Sequence, residues 1–116
     1  MSTRFDLTGL RRGNTYERLF RFKDGAGSPV DLTGSEIIFI AETTTSILRK
    51  TTTDNSLKMP LPAMGEVTLR LSPAETRLLA VGRLRNRYEI ERRIGGDEFT
   101  LLSGSLLVVQ GMNDDA

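Results

Sequence analysis

The sequence predicts an all-β domain, a Greek-key β-sandwich of about seven strands with one short helix, and three observations carry that prediction. Short runs alternate apolar and polar side chains, the period of a strand with one buried face. Clusters of glycine, proline, aspartate and serine separate these runs. A helix start is written clearly only once, at Ser72.

The segment Ser2 to Leu10 has apolar Phe5 and Leu7 but is interrupted by Gly9, and it reads as a flexible arm before an ordered region of about residues 13–110. Asn14 to Lys23 places Tyr16, Arg18, Phe20 and Phe22 on one face and Glu17, Leu19 and Arg21 on the other, which makes it the first clear strand. KDGAGSP is a turn, with Gly25 and Gly27 able to take positive φ. Glu36 to Glu42 is apolar on both faces: Ile37, Phe39 and Ala41 on one, Ile38 and Ile40 on the other. Thr45 to Thr51 returns as its hairpin partner.

From Thr52 to Met64 no period is sustained and Pro60 and Pro62 exclude a central strand, so this stretch reads as a long mobile connection. In Gly65 to Leu71, Val67, Leu69 and Leu71 alternate with Glu66, Thr68 and Arg70. Ser72, Pro73 and Glu75 then supply an N-cap hydroxyl, a proline at the first helical position and a carboxylate three residues past the cap. That helix should run over Pro73 to Val81 and stop at Gly82. Alternation resumes with Leu84, Tyr88 and Ile90 opposite Arg83, Arg85, Arg87, Glu89 and Glu91. Gly95 and Gly96 offer a tight hairpin turn, and Ser103 and Gly104 turn or bulge the chain into Leu106 to Val109, again apolar on both faces. MNDDA reads as a frayed tail. The element count and size suit a single domain near the size of an immunoglobulin-like sandwich, with an open β-barrel as the alternative.

The chain has 116 residues, 38% of them hydrophobic, enough for one domain that buries roughly two-thirds of its unfolded surface. Its 16 basic and 15 acidic residues nearly cancel, so a net charge of +1 gives no global pull toward nucleic acid or anionic membrane. There is no cysteine and no histidine, which removes disulfides, thiolate nucleophiles and the commonest general base and metal ligand. The opening residues lack the apolar core of a signal peptide, and no run approaches the roughly 20 residues of a membrane span. Cytoplasmic synthesis is the expectation.

Catalysis has little to build on. A serine nucleophile would need a lysine or carboxylate as base. Asp97 and Glu98, the one dense acidic pair inside the predicted fold, point to opposite faces if they lie on a strand. Asp24 to Asp31 lacks the alternating oxygen spacing of a calcium loop. The expectation is a protein that is not an enzyme and uses no cofactor, metal or small-molecule substrate.

Arg83, Arg85 and Arg87 form a row on one strand face. Such a row can contact phosphates, a protein partner or only solvent and cross-strand carboxylates. The face continues into Glu89 and Glu91 and lacks aromatic residues for base stacking, so nucleic acid is not expected. Tyr88 is either a core aromatic or a hydroxyl that ties a strand to a loop. The outward residues Ile38, Ile40 and one pair of Leu106 with Val108 or Leu107 with Val109 need cover, from the chain's own helix and long connection or from another subunit. The candidate interface residues are therefore Ile38, Ile40, Arg83, Arg85 and Arg87.

Taken together, RGNTYERLFRFKDGAGSPVDLTG (Arg12 to Gly34), EIIFIA, GEVTLRLSPAET, the strand ending YEIE and FTLLSGSLLVV resemble, from about Gly13 to Val109, the immunoglobulin-like N-terminal domain of tailed-phage baseplate upper proteins and related small phage virion proteins. The resemblance implies a non-enzymatic β-sandwich building block of a virion, present in several copies as a homo-oligomer or ring and contacting other virion proteins. Members commonly continue into a coiled-coil or receptor-binding region, and without one the expectation widens to a baseplate, tail, neck, adaptor or capsid-decorating component. A carbohydrate-binding or host-surface adhesion module on the same type of fold is the alternative, separable by a glycan array.

Overall fold

The structure, a computed structural model, describes residues 3–82 and 86–112. Its strands are β1 (Thr3–Arg4), β2 (Leu7–Arg11), β3 (Tyr16–Arg21), β4 (Glu36–Glu42), β5 (Ile47–Thr51), β6 (Glu66–Leu71), β7 (Arg87–Ile94) and β8 (Asp97–Val109). A 3-10 turn covers Pro62–Met64, and α1 is a single turn, Pro73–Thr76.

The large sheet runs β1-β8-β7-β4-β5, with β2 also pairing β8, and the small sheet is β3 with β6. The β4–β5 and β7–β8 hairpins stay within the large sheet, whereas the β2–β3, β3–β4, β5–β6 and β6–β7 connections cross between sheets. The result is a Greek-key sandwich with immunoglobulin-like connectivity, including the parallel pairing of β1 and β2 with the last strand. Gly95 and Gly96, at φ 58 and 88, form the predicted β7–β8 turn.

The alternation places the core as expected. Phe20, Val67, Leu69 and Leu71 from the small sheet meet Ile37, Phe39, Tyr88, Ile90, Leu102, Leu106 and Val108 from the large one. Phe39 and Tyr88 stack with ring centroids 5.9 Å apart. Tyr88 serves both of its anticipated roles: the ring is buried, and the hydroxyl donates to the carbonyl of Phe5. Burial first, with the neighbouring charge of Asp6, pushes its phenol well above the ordinary value.

Four expectations need correction. Ser103 and Gly104 neither turn nor bulge the chain: β8 runs through them, paired with Glu89 and Tyr88, and its register shift falls between Thr100 and Leu102. The segment before residue 13 is paired structure, not a flexible arm: Leu7 and Leu10 are both fully buried. Gly9, at φ +83, breaks the register between them, so residues three apart reach the same core. The Thr52 to Met64 connection is packed down, with Leu57 buried and Lys58 exchanging both backbone bonds with Thr68. The helix is shorter than Pro73 to Val81. Its N-terminus is as predicted, a full capping box in which Glu75 N–H donates to Ser72 Oγ at 3.1 Å and Ser72 N–H to Glu75 Oε1 at 2.9 Å. After Thr76 the chain turns away. The single O–H of Thr76 has the Asn14 carbonyl at 2.9 Å and the Pro73 carbonyl at 3.1 Å as acceptors, and buried Asn86 bonds both backbone groups of Ala80. The tail beyond Met112 lies outside the described residues.

Candidate interaction surface

Register decides which side chains leave the core. Ile38 stands opposite Thr51 and Glu91, Ile40 opposite Arg49 and Glu89, and Glu42 opposite Ile47. All of these lie on the outer face of the large sheet, because Ile37, Phe39 and Ala41 take the inner one. On β8 the inner set is Leu102, Leu106 and Val108, so the outward pair is Leu107 with Val109. Leu107 is half-buried and Val109 is 49% exposed.

The outer face carries an open groove of about 480 Å³. Ile40 and Ile47 form its apolar part, Ser103 and Ser105 come from β8, and Arg4, Glu42, Arg87 and Glu89 supply charge of both signs. Ile47 is 64% exposed. Arg87 grips Glu42 through two side-chain bonds, Nε to Oε1 at 3.1 Å and Nη2 to Oε2 at 3.0 Å. Those bonds hold the Glu42 carboxyl below its ordinary value and raise the Arg87 guanidinium. The pair is solvated and stabilises the fold little. Its consequence is geometric, because it fixes a planar, charged rim beside an apolar floor.

Of the anticipated interface residues, the structure brings Ile40 and Arg87 to this one groove. Ile38 does not belong with them. It is 0% exposed in the single chain, enclosed by its own neighbours between Thr51 and Glu91, so it is unavailable to a partner. Arg83 and Arg85 lie outside the described residues. Sequence reasoning missed Ile47, Glu42 and Arg4. The first was readable from the alternation Ile47, Arg49, Thr51; Arg4 was hidden by the reading of residues 2–10 as an arm.

The surface sets one exposed and one half-buried isoleucine, Ile47 and Ile40, beside an oriented charge pair. Among the described residues no group of three or more Asp or Glu side chains is placed to hold a metal ion. The chain is an all-β sandwich with an open groove on the outer face of its large sheet. No protein-family model matches the chain, and no curated protein matches it by sequence.

Proposed function

We propose that this chain is a non-enzymatic structural protein of a tailed-phage virion, a baseplate, tail, neck or adaptor component made in the host cytoplasm and working through protein–protein contacts. The contact role rests on one observation, the groove in which exposed Ile47 and half-buried Ile40 lie beside the Arg87–Glu42 pair. The virion assignment rests on the order of sequence motifs from Arg12 to Val109. The groove favours a protein partner over a glycan, since the one aromatic lining it, Tyr88, has its ring buried in the core and its hydroxyl engaged.

The test is a protein inventory of purified particles, with copy number, for phage carrying the natural chain and the Ile40→Glu variant. Ile40 sits on the outer face, so the isolated variant should still fold cooperatively while its incorporation falls by about tenfold or more, as for loss of a central apolar contact. Absence of the natural chain from particles overturns the virion reading. Normal incorporation of a folded Ile40→Glu chain overturns the groove as its contact site.

A further inference from the structure

Among the described residues, one strand edge of the small sheet has no pairing partner. Phe22 N–H donates to the Gly65 carbonyl in register with the β3–β6 ladder. This fixes Tyr16, Arg18, Phe20 and Phe22 as the residues that bond toward β6, because ladder bonding alternates along an antiparallel pair. Glu17, Leu19 and Arg21 therefore turn their N–H and C=O groups the other way. No hydrogen bond from another described residue reaches those backbone groups. Their side chains are exposed on the outer face, Leu19 at 43%.

The other edges are guarded. β6 is covered by Lys58, which exchanges both backbone bonds with Thr68. On β5, Thr51 N–H donates to Ser56 Oγ and the Thr51 carbonyl accepts from Leu57, leaving only Ile47 and Arg49 open. A second β5 laid antiparallel there would find only two pairing residues, Ile47 set against Arg49, too short an edge for a stable ladder. β1 is two residues long, and β2 loses register at Gly9. Short, bulged or covered edges are how sandwiches avoid pairing. β3 is longer and regular, and a slot of about 460 Å³ with Phe5, Phe22, Val30 and Leu101 in its walls runs beside it.

We propose that the β3 edge is a homodimer interface, in which β3 of a second copy pairs antiparallel about Leu19 and joins the two small sheets into one. Reading YERLFR against itself about that centre gives the reason. Leu19 meets Leu19 of the second copy, Glu17 meets Arg21, and Arg21 meets Glu17. All of these are residues whose backbone groups face the open edge, so every pair exchanges both its hydrogen bonds. Opposite charges directly across an antiparallel pair attract and like charges repel, which makes this edge complementary to itself in one register. Arg21 already bonds Glu66 through Nε at 3.0 Å, and its remaining guanidinium donors can take the second copy's Glu17. A two-fold contact of this kind closes on itself and stops at a dimer. It does not depend on the virion reading and uses a different face from the groove.

The test is sedimentation of the isolated chain over a micromolar to millimolar range, with three variants at these exposed positions. The natural chain should dimerise. E17R and R21E should each weaken self-association by about tenfold, because two favourable charge pairs become two unfavourable ones. Mixed in equal amounts they should dimerise again, since in the mixed dimer each altered residue faces an opposite charge. Leu19→Cys, the only thiol in the chain, should cross-link on mild oxidation, because facing hydrogen-bonded residues lie about 5.5 Å apart at Cα, within disulfide range. A natural chain that stays monomeric throughout overturns the proposal. So does a dimer indifferent to E17R and R21E, or one that Leu19→Cys does not trap.

Discussion

Removing Glu75 should cost more stability than removing the lysine that pairs with it. Lys50 lies opposite Phe39 on the inner face of β5, 9% exposed, and reaches across the mouth of the sandwich to Glu75 Oε1 at 2.9 Å. The same carboxylate oxygen accepts Ser72 N–H, so one side chain closes the capping box and ties β5 to α1. Glu75→Ala removes both and leaves the Lys50 charge in a site where its side chain is 11% exposed. A hydrogen bond to a charged group contributes about 1.5–3 kcal/mol, and orphaning a fully buried charge costs about 3–5 kcal/mol. The Glu75 side chain is 27% exposed, so water relieves part of this and the expectation is about 2–3 kcal/mol. Lys50→Met keeps the apolar stem and leaves Glu75 with Ser72 N–H and solvent; it should cost about 1 kcal/mol or less. Urea titration of the two single variants and the double variant measures both costs and their coupling, expected near 1 kcal/mol. A larger cost for Lys50→Met than for Glu75→Ala, or a coupling below about 0.3 kcal/mol, refutes the reasoning.

The pH dependence of the same node has a definite sign. Burial pushes the Glu75 carboxyl up, but the bonds from Lys50 and from Ser72 N–H outweigh it and hold the group below its ordinary value of 4.5. A carboxyl lowered by folding stabilises fully above its unfolded value and loses that contribution as pH falls through the folded one. Glu75→Gln should therefore flatten the fall in stability below about pH 4.5, and an unchanged acid limb would show that the node is not ionised as described.

Gly104→Ala should cost about 2–3 kcal/mol, the upper end for overpacking, because a Cβ there would lie 2.3 Å from the Phe5 carbonyl oxygen. The loss should appear first as faster exchange of Ser105 N–H, which donates to Asp6 Oδ1 at 3.0 Å. Asn86→Ala should cost about 3 kcal/mol in a denaturant titration: its side chain is fully buried and bonds Ala80 N–H, the Ala80 carbonyl and the Leu106 carbonyl. A cost below about 1 kcal/mol would mean water replaces those bonds.

The parts of the fold legible in sequence were those written in period two. Val67, Leu69 and Leu71, or Tyr88 and Ile90, alternate without interruption, and their faces follow from the pleat alone. The N-terminal strands were illegible because Leu7 and Leu10 share a core only through a register break at Gly9, and a glycine in sequence reads equally as a bulge or as a stop. The helix end was misjudged because Gly82 looked like the terminator. The chain leaves the helix at Thr76, whose hydroxyl bonds Asn14 across the fold, a contact no local pattern announces. Ile38 and Ile40 are indistinguishable in sequence, two positions apart on one face. Their fates differ because Ile38 is enclosed among its own neighbours, while Ile40 opens into the groove.

The two surfaces sit on opposite layers, and that separation has a functional consequence. β3 belongs to the small sheet, whereas Ile40, Ile47 and the Arg87–Glu42 pair belong to the outer face of the large one. Pairing two copies through β3 therefore leaves both grooves open. A dimer built this way presents its contact site twice, and for a partner that displays repeated binding positions the second engagement is intramolecular, which strengthens attachment without any new contact. The charge swap separates the two roles. E17R should lower attachment to a repeated partner while leaving the affinity for a single partner molecule unchanged, and Ile40→Glu should lower both. If E17R reduced single-site affinity as much as Ile40→Glu does, the edge and the groove would be one site, and the geometric separation argued from β3 and β4 would be wrong.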